Sequence, residues 1–268
     1  MADQVITDQE LDEAGLRLEI DGEIARVTLA RPERRNAMTG RTWSALASIG
    51  QNLPESVRIV VLAGDGASFS SGIDLTMFEP GGPEGESSPL ASGKVPDPAE
   101  LDATIAGYQE GFRWLRRPDL VSIAAVHGHA IGAGFQLALS CDLRILADNA
   151  QLCMKEPALG LVPDLTGTKP LVDLVGPNRA LELCLTARRI PATEARELGL
   201  AELVVGGDEL EGAVSDLAAA VLTTPAEAAR ATKELLLQAP DNSLAEQAAA
   251  ERRAQIGRLT DLARQQSA

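Results

Sequence analysis

Two short stretches of this 268-residue chain have the composition to hold negative charge with backbone alone. Ile131-Gly132-Ala133-Gly134 follows an apolar, strand-like run (Val121–Val126), and a helical pattern begins at once. A turn with so little side chain lets a ligand come close to the backbone, and the unpaired N–H groups of a helix start favour a negative oxygen. The second stretch, Ser68-Phe69-Ser70-Ser71-Gly72-Ile73-Asp74-Leu75, carries small residues out of a Gly-rich turn. N–H groups from two such loops, converging on one carbonyl oxygen, would stabilise charge that develops there. Loss of one such donor costs on the order of 3 kcal/mol of barrier. Other chemistry is thinner. His127 and His129 are the whole histidine supply, and no nearby Cys or acidic cluster completes the three or four ligands a metal needs. They read as packing or hydrogen-bonding groups beside the turn, with no metal site. No GxSxG motif supports a serine hydrolase.

The elements that must position these loops follow from patterning. Leu16–Ile20 and Ile24–Ala30 flank Asp21-Gly22 as a hairpin. Trp43, Leu46, Ala47, Gly50 and Leu53 recur at helical spacing, and Arg58–Ala63 reads as a buried strand closed by Gly64-Asp65-Gly66. Nine of the 21 residues in Glu79–Ala99 are Gly or Pro, which predicts a long mobile loop or disordered insert, placed either as a substrate lid or as a tolerated surface insertion. Helix resumes from near Glu100 to Arg117. Leu143–Ala147 and Gln151–Met154 read as short strands, Asp164–Val175 as a helix. From Pro177 onward the chain reads as helical, with Glu202–Val205 its one strand. Asp208/Glu211, Thr224/Glu227 and Ser243/Glu246 have capping-box spacing. Strands separated by helices imply a sheet with crossover connections.

Composition narrows the function. A net charge of −15 lacks the broad basic footprint of a nucleic-acid binder. No apolar run approaches the roughly 20 residues that cross a bilayer, and the acidic start does not resemble a signal peptide, so a cytoplasmic place is expected. Cys141, Cys153 and Cys184 have no CxxC spacing and sit in apolar contexts, as reduced core thiols do. With seven aromatic residues, the core must rest on Ala, Leu, Val and Ile.

LARPERRNAM (Leu29–Met38), SFSSGIDL, AAVHGHAIGAGFQLALSCD, KEPALGLVPDLTGT (Lys155–Thr168) and ARRIPATEARELGLAELVV follow one another in an order that resembles the crotonase, or enoyl-CoA hydratase/isomerase, family. The resemblance implies an α/β fold, a crotonase-like spiral of ββα units with a helical C-terminal region. It implies an acyl-CoA-binding core over residues 1–205 and a trimerisation region over 206–268, in a homotrimer or a dimer of trimers. The substrate would be an acyl-CoA thioester, with coenzyme A part of that substrate and no separate cofactor. By position, the N–H groups of Ile73 and Ala133 correspond to the family's oxyanion hole. Ser71–Leu75, which includes Asp74, resembles its adenine-binding segment. Arg34 and Arg35 lie where basic residues meet the CoA phosphates, and Lys233 would reach a neighbouring subunit's phosphate.

Two glutamates of the family's hydratases fall on Gln136 and Glu156. An amide neither takes nor gives a proton at neutral pH, so Gln136 speaks against hydration. Double-bond isomerisation needs one base, and Glu156 matches the base of the Δ3,Δ2-enoyl-CoA isomerases. Asp164 matches an acid used by some dienoyl-CoA and ring-expanding isomerases of the family. The leading expectation is therefore an enoyl-CoA isomerase. The alternatives are a hydratase with altered catalytic residues and a non-catalytic acyl-CoA-binding protein.

Overall fold

In the computed structural model, which describes residues 6–83, 85–86 and 96–266, strands and helices alternate through the first two thirds of the chain. In order they are α1 (Asp8–Glu13), β1 (Leu16–Asp21), β2 (Ile24–Leu29), α2 (Gly40–Asn52), β3 (Ile59–Gly64), α3 (Pro98–Arg113), β4 (Val121–Val126), β5 (His129–Ile131) and α4 (Ala133–Ser140). Then come β6 (Leu143–Ala147), β7 (Gln151–Cys153), α5 (Thr168–Thr186), β8 (Ile190–Pro191), α6 (Ala192–Glu197), β9 (Leu203–Val205), α7 (Leu210–Leu222), α8 (Ala226–Gln238) and α9 (Leu244–Gln266).

One sheet runs β1-β2-β3-β4-β6-β9, antiparallel between β1 and β2 and parallel thereafter. A smaller one runs β5-β7-β8. The continuous apolar runs of β3 and β4 are explained by burial on both faces. Val60, Leu62, Ala124 and Val126 face the main core, while Ile59, Val61, Ile123 and Ala125 meet Leu210, Val214 and Ala218 of α7. The two-residue alternation of a strand thus serves two cores from one sequence. This is the mixed α/β fold with a helical C-terminal region that the motifs imply.

Several expectations are corrected. The helix expected from Asp164 starts at Thr168, because Leu165 and Gly167 give their N–H groups to the Gln136 side chain and Thr166 sits at φ +68°. Asp164 is therefore not a helix cap. That helix is broken at Gly176 (φ +74°), just before Pro177, where a second helical stretch opens as expected. Of the segment 79–99, residues 84 and 87–95 lie outside the described residues. Glu86 is tied down: it accepts from the Thr39 hydroxyl (2.6 Å) and the Arg41 N–H (3.0 Å). At the other end α3 starts at Pro98, capped by Asp97. The Ser243/Glu246 capping box forms. Asp208/Glu211 and Thr224/Glu227 do not, because Glu209 bonds back to Gly206 and Pro225 occupies the cap of α8. Strand β8, two residues long and ending in Pro, carried no readable pattern.

Candidate active site

Four segments lie side by side to build the site. The Ser68–Leu75 loop runs along β5: Phe69 N–H donates to the His127 carbonyl, Ser70 N–H to His129, and Ile131 N–H returns to Ser70. On its other edge the same loop is held by residues 35–38. Ser71 N–H donates to the Arg35 carbonyl, Met38 N–H to Gly72, and Asp74 N–H to Met38. Gly132 N–H closes the set on the Cys153 carbonyl at the end of β7 (2.8 Å). Asn36 secures the turn, donating to the Asp65 and Ser68 carbonyls and accepting from the Arg31 N–H. Its φ of +55° is one that asparagine tolerates better than most residues.

This arrangement leaves two N–H groups over. The Gly72 carbonyl accepts from Met38 and the Asp74 N–H donates to it, while the Gly72 N–H goes to Ser70 Oγ, so the intervening Ile73 N–H points to the opposite edge of the loop. Ala133 is the first residue of α4, where no preceding turn supplies an acceptor. Neither N–H donates to another described residue. The two loops touch: at Gly72 (φ +94°) a Cβ would stand 2.5 Å from the Ile131 carbonyl oxygen and 3.5 Å from the Ala133 nitrogen. Only glycine lets them approach so closely.

Both loops border a cavity of about 900 Å³. One further wall is apolar, drawn from Trp43 of α2 and from Leu101, Ile105 and Tyr108 of α3. Trp43 and Tyr108 meet edge to face with centroids 4.9 Å apart. Glu156, Asp164, Lys155, Arg34, Arg35 and Ser71 all line the same space. So do Ile73, Ala133, Asp74 and Leu75. The contribution of α3 was missed, since an amphipathic helix face does not say what it faces.

Glu156 begins a short 3-10 turn after β7 and is only 8% exposed. Its Oε1 accepts from Gln136 Nε2 at 2.6 Å, while the buried Oε2 has no hydrogen-bond partner among the described residues. Burial pushes its pKa up, and the nearby Asp164 charge adds to this; its own N–H and the Gln136 amide pull the other way. Burial also raises Asp164. Gln136 itself is fully buried behind Glu156 and does not border the cavity. At the cavity mouth Asp74 accepts from Arg31 (3.2 Å), Arg34 (3.0 Å) and the Thr76 hydroxyl (2.8 Å). Burial alone would raise its pKa, but the bonds from Thr76 and Arg34 win and hold it below the usual range.

Lys233 is elsewhere. Its amine, 11% exposed, donates to Asp142 Oδ2 (2.6 Å) and to the Leu120 carbonyl (2.7 Å). Its amine is thus engaged within the chain and lies away from the cavity. His127 Nε2 donates to the Gly66 carbonyl, and His129 sits between Ser68 and Arg189. The three cysteines are free, and burial pushes the Cys141 thiol up to about 12.

A family model for enoyl-CoA hydratase/isomerase matches residues 19–267. The chain belongs to that family. Among relatives of this hydratase/isomerase, a peroxisomal Δ(3,5)-Δ(2,4)-dienoyl-CoA isomerase of Arabidopsis thaliana is 32% identical over 85% of this chain and 82% of its own. A short-chain-enoyl-CoA hydratase of Clostridium acetobutylicum is 34% identical over 82% and 79%. A Thermobifida fusca YX protein, assigned as a candidate enoyl-CoA hydratase, has been solved with CoA. It is 65% identical, with a TM-score of 0.93 over 98% of this chain and 99% of that one. The acetoacetyl-CoA complex from the same organism is 66% identical, with a TM-score of 0.93 over 96% and 100%. No helix among the described residues is long and apolar enough to cross a membrane.

Proposed function

We propose that this enzyme of the hydratase/isomerase family moves the double bond of a 3-enoyl-CoA to the 2-position, with Glu156 as the single proton carrier. The thioester oxygen sits between the Ile73 and Ala133 N–H groups, an oxyanion hole that acidifies the α-proton. Glu156 Oε2 takes that proton from C2, giving a dienolate over the thioester, C2, C3 and C4. The same carboxyl returns the proton to C4, leaving the C2=C3 bond; no water enters and no atom is lost. A raised pKa suits a group that must both take and give a proton. Arg34, Arg35, Ser71 and Leu75 form the mouth through which the CoA moiety reaches, Asp74 holding Arg34 in place. Coenzyme A arrives with the substrate, and no further cofactor is needed.

The observation that carries this reading is a buried carboxylate oxygen with no hydrogen-bond partner among the described residues, beside an amide where a two-carboxylate hydratase needs a second acid. Incubation with 3-hexenoyl-CoA should give the conjugated 2-enoyl product, seen as rising enone absorbance. If the protein instead consumes 2-enoyl-CoA in water and leaves the 3-enoyl ester alone, it is a hydratase. A second reading is supported by Asp164, which borders the same cavity with a raised pKa. Glu156 and Asp164 would then work together, moving a proton along a longer conjugated dienoyl ester. Substrate choice between 3-enoyl and 3,5-dienoyl esters separates the two. The exposed Ile256, Leu259 and Leu262 of α9 support burial between subunits, and a trimer is the assembly we propose, readable by light scattering.

A further inference from the structure

The side chain of Gln136 is fully engaged by the protein, and its partners fix its orientation. Its Oε1 accepts the N–H groups of both Leu165 (2.9 Å) and Gly167 (3.2 Å). An NH2 turned to that side would face two donors, so the amide has one permitted orientation and its nitrogen faces Glu156. The fit is tight: a Cβ on Gly167 would stand 2.6 Å from Gln136 Cγ. Gln136 lies three residues after Ala133 on the same helix, α4, and its own N–H donates to the Gly132 carbonyl (2.9 Å). One short rigid element therefore carries a candidate thioester-oxygen donor at its start and the partner of Glu156 at its next turn.

We propose that Gln136 is a positioning residue: the 165–167 loop aims its amide, the amide clamps Glu156 Oε1, and Oε2 is left as the only oxygen that meets substrate. This rests on the reading of Glu156 as the base. The clamp does two things for it. It prevents rotation of the carboxylate, so that the free oxygen keeps its distance from a thioester held by Ala133, since a small misplacement of reacting groups can cost on the order of a hundredfold in rate. As a donor it also favours the ionised carboxylate, against burial and the Asp164 charge. The other ionisable groups nearby are Lys155, next in the chain and at the cavity wall, and the Cys153 and Cys184 thiols, which burial pushes up.

Two variants test the clamp. Gln136→Met removes acceptor and donor together and leaves two N–H groups unpaired in the interior. Gln136→Glu keeps an acceptor for Leu165 and Gly167 and removes only the obligatory donor, so it protects the test against simple misfolding. The direct readout is the carbon-13 titration of the Glu156 carboxyl, assigned by its loss in Glu156→Gln. The kinetic readout is exchange of the α-protons of butyryl-CoA in heavy water, which reports proton abstraction whatever the net reaction. In Gln136→Met the Glu156 midpoint should move up, and exchange should slow on the order of tenfold to a hundredfold with KM unchanged within about twofold. In Gln136→Glu, folded to near the wild-type Tm, the single titration should become two coupled steps. Exchange should slow there too. A folded Gln136→Glu protein with the wild-type midpoint and rate would overturn the clamp. Full exchange in Glu156→Gln would instead sink Glu156 as the base, while the carboxyl titration still judges Gln136 by itself.

Discussion

The two sides of the cavity are held by different forces. On one side, residues 35–38, 68–75, 129–136 and 153–156 are joined by backbone hydrogen bonds and by buried polar side chains such as Asn36, Ser70 and Gln136. On the other, Trp43, Leu101, Ile105 and Tyr108 meet the space through apolar contact. Hydrogen bonds are directional and fix positions to fractions of an ångström, whereas apolar packing is tolerant of shape so long as volume is kept. On the proposed function, the bonded side would set reaction geometry and the packed side the choice of acyl group.

The largest break of this contrast is Glu156→Gln on the bonded side. Isomerisation should fall by roughly a thousandfold or more, measured as enone formation. The same variant should be more stable near neutral pH. Because the folded Glu156 binds its proton more tightly than the unfolded chain, wild-type stability falls as pH rises from the ordinary glutamate value of 4.5 through the raised folded value. The Tm gap between variant and wild type should open across that window and close below it. A variant less stable at neutral pH would contradict the burial argument.

Gly72→Ala comes next. A methyl 2.5 Å from the Ile131 oxygen, at φ +94°, must push the two loops apart, and kcat should drop on the order of a hundredfold, the loss expected for one displaced donor. On the packed side, Ile105→Trp should raise KM for a long-chain ester about tenfold and leave a four-carbon ester within about twofold, as volume competition in an apolar pocket predicts. Equal effects on both esters would mean that α3 does not contact the acyl chain. The smallest effect is Gly107→Ala, in the same helix with open space around its Cβ. It should leave kinetics unchanged and stabilise by about 1 kcal/mol, the helix-propensity gain, seen in a denaturation curve.

The bonded side was largely legible in the chain. Small residues between β4 and α4, and the SFSSGIDL run, mark backbone that must come close to something, and the motif order carries the fold. What could not be read is which side chains join across distance. Gln136 and Glu156 are twenty residues apart, and the link between them depends on amides of a loop that patterning assigned to a helix. Leu165 and Gly167 stay outside the helix because Gln136 offers their N–H groups a buried acceptor, and Thr166 between them turns left-handed, a tertiary contact that overrides local propensity. The packed side was illegible for another reason: Leu101, Ile105 and Tyr108 form an ordinary apolar stripe, and such a stripe reads the same whether it meets a core or a cavity.

The ion pair of Lys233 with Asp142 has a mechanical consequence. Asp142 also accepts from the N–H and hydroxyl of Ser122 and stands just past the last residue of α4. That helix is a rod about 12 Å long, at 1.5 Å per residue. One end of the rod is anchored by the tail through a shielded charge pair, and the other brings Ala133 to the cavity wall. Loosening the far anchor would let the near end drift, so a change in α8 can register in turnover without touching the ligand.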